Sequence, residues 1–286
     1  MTDIDALHEQ VLFSQVRVKT SSAGGSGTII YSQASAVGLV TFNTYAITCH
    51  HVIEDAITVK DEWDPKVGRQ RKREVRQLVT VEFFDWSNVA HGNRPLNYSA
   101  DAEIMAYDKD HDMAILRLRT IKKAPYVAML MQDGEQRALR IGSRVVAVGS
   151  ALLHDPVLTE GIITHFGDEI DGKLYWMSNA QIIFGNSGGA VFHAVTPHNY
   201  AFIGIPSRVA ITGWGQTPIT HLGYFSPISR IHEFFREQTF QFLSPGSGKS
   251  EADCEEERRA IREREERKLV VEAPSQAGRQ AGYSGA

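Results

Sequence analysis

The chain has 286 residues, 42% of them hydrophobic and 22% charged, with a net charge of −4. That balance suits one large or two small globular domains and gives no overall attraction for nucleic acid or an anionic membrane. Two cysteines, Cys49 and Cys254, exclude a disulfide framework and a four-cysteine zinc site, and no apolar run approaches the roughly 20 residues of a membrane span.

Residues 1–10, MTDIDALHEQ, carry three acidic residues and no apolar signal core. They predict a short N-terminal helix on a cytoplasmic protein. From Val11 to about Phe242 the chain reads as β. Runs rich in Val, Ile, Phe and Tyr recur at Val11–Val18, Gly27–Tyr31, Thr44–Thr48, Leu78–Phe84, Met113–Leu118, Arg144–Val148, Leu158–His165, Leu174–Ser178, Ala190–His193, Ala201–Ile205 and Gly223–Ile228. Gly, Asn, Asp or Pro punctuates many of the gaps. About eleven short strands with few helices between them predict an all-β chain of two packed barrels. Asp61–Arg76 interrupts the pattern with a basic cluster at Arg69, Arg71, Lys72 and Arg73. It reads as a solvated loop or strand tip before it reads as a nucleic-acid patch.

After Leu243 the composition shifts. Residues 244–250, SPGSGKS, read as a flexible hinge. Gly248-Lys249-Ser250 is no phosphate-binding loop, because Leu243 stands where that motif needs its first glycine. Glu251–Lys268 holds eight acidic and six basic residues without an apolar stripe. Glu255→Arg259 and Glu263→Arg267 have the favourable i,i+4 order, so residues 251–270 read as a solvated charged helix, and 271–286 as a disordered tail.

The segment that carries chemistry is Phe184-Gly185-Asn186-Ser187-Gly188-Gly189-Ala190-Val191. Glycines around Ser187 let a tight turn present the hydroxyl and aim the Gly185 and Ser187 amides at one point, an oxyanion hole. A serine needs a base. Among eleven histidines, His51 stands at the end of the apolar run Ala46–Cys49. The base needs a third group to fix its tautomer. Asp112, directly before Met113–Leu116, is placed for that, with Asp108 and Asp110 as competitors. Cys49, His50 and His51 suggest zinc, but neighbours on a strand face opposite sides, so no metal or cofactor is expected.

At this point the chain resembles the trypsin-like serine proteases of the chymotrypsin fold, and within them the bacterial HtrA/Deg branch. The matching pieces are Gly25–Ile30, Ile47–Ile53, Asp112–Leu116, Gly142–Gly149, Glu160–Ile163, Gly185–Val191 and Ile203–Ile205, in the family's order. The resemblance implies two six-stranded antiparallel barrels, about 11–125 and 135–243, with the site in the cleft between them. It assigns the base to His51 rather than His50, the orienting carboxylate to Asp112 and the nucleophile to Ser187. The implied function is a serine endopeptidase acting on polypeptides through an acyl-enzyme. The alternatives are a latent or non-catalytic peptide-binding module, or a dedicated effector or viral protease that docks one partner through the charged helix.

The departures are specific. Digestive relatives carry an aspartate before the serine that pairs with a newly cut N-terminus; here it is Asn186, and no activation sequence precedes Val11. The residues after Leu243 are too few for the PDZ domain that Deg-type enzymes usually add. Gln181 stands at the pocket base where trypsin has an aspartate. Gln181, Ile182, Ile183 and Phe184 should line the pocket, and Ile205-Pro206-Ser207 should form an edge strand for substrate. Arg208 and His221 should lie at the rim. The pocket reads as selective for small or medium aliphatic residues, with an acidic neighbour as the second reading.

Overall fold

The computed structural model describes residues 3–35, 41–65, 68–86, 95–213 and 217–271. Helix α1 (Asp3–Leu7) runs into a further helical turn that carries Val11 and Leu12 into the core. The expected strand at Val11–Val18 therefore begins only at Gln15, after the Ser14 hydroxyl has bonded the Val11 carbonyl at 3.0 Å.

Strands β1 (Gln15–Lys19), β2 (Gly24–Ala34) and β3 (Phe42–Thr48) lead into the short helix α2 (His50–Ile53). A ribbon of β4 (Ile57–Asp64) and β5 (Arg69–Arg76) follows, then β6 (Val79–Asp85), β7 (Leu96–Asp108) and β8 (Met113–Thr120). The first barrel closes in the order β1-β2-β3-β8-β7-β6. Next come β9 (Arg144–Gly149), β10 (Val157–Ile170), β11 (Lys173–Ser178), β12 (Ala190–Thr196), β13 (Asn199–Thr212) and β14 (Thr217–Pro227). They close a second barrel in the order β10-β11-β14-β13-β12-β9. Every ladder in both barrels is antiparallel. Two six-stranded barrels are the architecture the sequence implied.

Sequence reading missed β7. Its inward residues include Ala102, Ile104 and Ala106, and alanines do not mark a strand the way Val and Ile do. It also missed helix α3 (Ile228–Glu237), which buries Ile228, Ile231, Phe234 and Phe235 along one face at helical spacing. The Asp61–Arg76 segment is the β4–β5 ribbon, largely exposed, with Arg71–Asp64 at 3.0 Å and Arg73–Glu62 at 2.9 Å offsetting much of its positive charge.

Helix α4 (Glu251–Val271) is capped reciprocally. Ser250 Oγ accepts the Asp253 amide at 3.2 Å, and Asp253 accepts the Ser250 amide at 2.9 Å. Its first turns are docked rather than solvated. Tyr45 and Asn43 of barrel one donate to Glu251 at 2.5 and 2.9 Å, Cys254 is fully buried, and the Arg258 guanidinium lies 4.0 Å from the Phe240 ring centroid. Farther on, Glu263 pairs with both Arg259 and Arg267. Residues 272–286 of the expected tail lie outside the described residues. Among the described helices none is long and apolar enough to cross a membrane.

Candidate active site

Strand β3 ends at Thr48, Cys49 is extended, and the backbone then turns helical. The turn separates the two histidines. His50 is buried, its ring centroid 5.0 Å from that of Tyr107, and burial pushes its pKa down. His51 faces outward toward Asp112, which the β7–β8 turn presents from a left-handed conformation, φ 55°. His51 meets the carboxylate twice: its amide donates to Oδ1 at 2.9 Å, and Nδ1 lies 2.8 Å from Oδ2. The Ser207 hydroxyl donates to the same Oδ2 at 2.6 Å. The competing aspartates are otherwise placed: Asp108 is bonded by His111 and by Arg230 of α3, and Asp110 is exposed.

Burial alone would raise the Asp112 pKa. The His51 and Ser207 hydrogen bonds, with the His51 charge, outweigh it and hold the carboxyl below its ordinary range. A folded pKa below the unfolded one means stabilisation that is complete above about pH 4 and is lost as pH falls through the folded value. Asp112→Asn should therefore flatten the acid limb of the stability curve, read by urea unfolding between about pH 5 and pH 2. Parallel limbs would show that Asp112 carries none of this linkage.

Ser187, half-buried, follows a loop whose peptide planes are fixed one by one. Leu152 N–H donates to the Phe184 carbonyl at 2.7 Å, and Gly189 N–H to the Asn186 carbonyl at 2.9 Å. In a trans peptide the C=O and the following N–H point to opposite sides. The Gly185 and Ser187 amides are thus turned away from these donors, and among the described residues neither has a protein acceptor. Ser26 holds the neighbouring carbonyls, Gly185 through its hydroxyl at 2.6 Å and Ser187 through its amide at 2.9 Å. Gly185 and Gly188 have φ of 93° and 84°, a region that costs a side chain dearly. Asn186 is buried, and its side-chain oxygen accepts the Ile183 amide at 3.2 Å.

The pocket residues divide. Ile182 is buried and lies across Gly223, where a Cβ would fall 2.5 Å from Ile182 Cδ1. Gln181 is exposed, its carbonyl taking the Thr159 hydroxyl at 2.9 Å. Ile183 is half-buried and Phe184 exposed. Of the expected substrate strand, Ile205 is core, on β13 within the closed second barrel. The Pro206 carbonyl is occupied by Gly188 N–H at 3.0 Å. The β12 ladder nevertheless stops at Gly204, so 207–212 are open on that side. Arg208 is not a free rim charge: it pairs with Asp171 at 2.8 Å and stands over the Tyr175 ring. His221 is exposed on β14.

The strand argument against a metal fails in its premise. Because the strand ends at Thr48, ligand atoms of Cys49, His51 and Asp112 lie within 4.8 Å of one another. Burial pushes the Cys49 thiol well up, with the Asp112 charge adding to it.

Sequence reasoning missed Ser207 as the third partner of Asp112, and Ser26 as the link between the barrels. Neither carries a local mark beyond being a serine in a strand. Gly25-Ser26-Gly27 had entered only as a matching motif.

Comparison with known proteins gives the family and the fold. Residues 25–196, more than half of the chain, match the family described as trypsin-like peptidase domain. The protein named "Protease Do-like 5, chloroplastic", from Arabidopsis thaliana, is 31% identical over 98 residues, which span 32% of this chain and 29% of that relative. The crystal structure of Deg5 superposes with a TM-score of 0.54 over 81% of this chain and 91% of Deg5, at 20% identity, a likeness of fold. The chain is thus a member of the trypsin-like peptidase family, built on the chymotrypsin-like pair of barrels.

Proposed function

We propose that the protein is a serine endopeptidase that cleaves polypeptides through Ser187, His51 and Asp112. The observation that carries this reading is the pair of hydrogen bonds between His51 and Asp112, together with a serine loop whose Gly185 and Ser187 amides have no protein acceptor among the described residues. His51 takes the Ser187 proton as the hydroxyl attacks the peptide carbonyl. Asp112, steadied by Ser207, orients the ring and stabilises its cation. The Gly185 and Ser187 amides receive the oxyanion. His51 then protonates the leaving amine, and water releases the acyl-enzyme.

Ile182, buried against Gly223, supports the reading of a shallow, apolar pocket that favours a small or medium aliphatic residue before the cut. Ile182→Ala should deepen it. Because one methylene in such a pocket is worth about 10-fold or more in kcat/KM, the preference of Leu over Ala at that substrate position should rise by at least about that factor in a peptide series. An unchanged profile would place the pocket elsewhere.

The direct test is labelling with a fluorophosphonate, which reacts with an activated serine in a formed oxyanion hole. The wild type should label and Ser187→Ala should not. A folded wild type that stays unlabelled removes the endopeptidase reading and leaves a peptide-gripping module.

A further inference from the structure

Leu152 and Leu153 are consecutive residues with φ of 50° and 59°, and both are exposed, at 59% and 43%. Two consecutive leucines in the left-handed region are strained, and such strain persists only where its surroundings over-determine it. Here they do. Leu153 N–H bonds the Ser150 carbonyl at 2.9 Å, and His154 N–H the Ala151 carbonyl at 2.9 Å. The Ser26 hydroxyl accepts Ser150 N–H at 2.7 Å. Arg17 of β1 donates to the Leu153 carbonyl at 2.7 Å and is itself held by Glu82. The turn lies directly on the oxyanion loop: a Cβ on Gly185 would fall 2.5 Å from the Ser150 carbonyl oxygen and 2.7 Å from Leu152 N.

We propose that the Ser150–Leu153 turn is a brace that keeps the oxyanion hole open. This deepens the endopeptidase reading and rests on it. The 184–185 peptide joins Phe184 to a glycine, so nothing in Gly185 itself prevents that plane from turning over. Turned over, it would aim a carbonyl dipole at the developing oxyanion and remove one donor. Leu152 N–H holds the Phe184 carbonyl on the far side. The Ser26 hydroxyl and Arg17 are positioning groups that hold Leu152 there, and neither touches substrate. In this chain Asn186, a neutral amide bonded to Ile183, stands where digestive relatives have an aspartate that pairs with a new N-terminus. The brace supplies in this chain the order which that ion pair supplies in them.

The test uses the full chain with two substitutions at one position. Leu152→Pro lacks the N–H and cannot take positive φ. Leu152→Gly keeps the N–H and takes positive φ without strain, and so serves as the conservative rescue. Loss of one oxyanion donor lowers kcat by about 10²–10³-fold. Leu152→Pro should fall by about that factor with KM within about threefold, and a peptide aldehyde should lose affinity in proportion. Binding of an uncleaved peptide in the Ser187→Ala background should not move. Leu152→Gly should restore kcat to within about threefold of wild type. Ser26→Ala should show the same split between kcat and KM, and decides the matter if Leu152→Pro does not fold. A folded Leu152→Pro enzyme with wild-type kcat overturns the brace alone, as does a Leu152→Gly enzyme as impaired as Leu152→Pro. A wild type that never labels with fluorophosphonate overturns the endopeptidase reading together with it.

Discussion

Ser187→Ala is expected to lower kcat by about a millionfold, with His51→Ala and the double variant falling to the same level. Nucleophile and base act as one unit, so losing either removes the proton transfer and the acyl-enzyme together. What remains, about 10³–10⁴-fold over water, is what the amides and peptide binding provide without the triad. Asp112→Asn should fall by about 10⁴-fold, because the amide stabilises the wrong imidazole tautomer while its geometry is kept. Steady-state hydrolysis of an aliphatic peptide series, with thermal unfolding of each variant beside it, checks all four proteins. Losses of Ser187 and His51 that multiply in the double variant would show that the two residues act separately, and the triad assignment would fall.

Gly188→Ala is the second large effect, and it acts on stability as well as on rate. Gly188 has φ 84°, and a Cβ there would lie 2.3 Å from the Ser26 carbonyl oxygen, 2.3 Å from Thr48 Oγ1 and 2.9 Å from Cys49 N. Two of these contacts are backbone, from the β2 and β3 ends that carry Ser26 and His51, so neither side can yield cheaply. A left-handed alanine costs about 1–2 kcal/mol, and overpacking adds about 1–3 kcal/mol. The melting temperature should drop by about 5–15 °C for a domain of this size. Labelling of Ser187 should fall with it, since Gly188 N–H ties the loop to the Pro206 carbonyl at 3.0 Å. A variant that melts within about 2 °C of wild type would mean that the loop is slack at this point.

Much of the architecture was legible because its strands follow ordinary rules. Val145–Val148 and Met113–Leu116 are apolar runs buried on both sides, and they are read at sight. Strand β7 was not legible, since its core face leans on alanines. Helix α3 was not, since Ile and Phe are common to strands and helices. The α4 helix was read from its i,i+4 charges, but its docking was not. That depends on Glu251 meeting Tyr45 and on Arg258 meeting Phe240, neighbours that no local pattern announces.

The sequence by itself determined the residue types and the order of the candidate site: a histidine after a strand, an aspartate before another, and a serine among glycines. Each is a local choice of turn and chemistry, and local choices are written in consecutive residues. Only the tertiary structure decided which partners complete them. His51 rather than His50 faces Asp112 because Thr48 ends the strand and a helical turn follows. Ser207 and Ser26 join the site from other strands, and Leu152 holds the Phe184 carbonyl from across the loop. Such contacts depend on where a closed barrel brings distant backbone, and a hydrogen bond between distant residues leaves no periodicity in the chain that forms it.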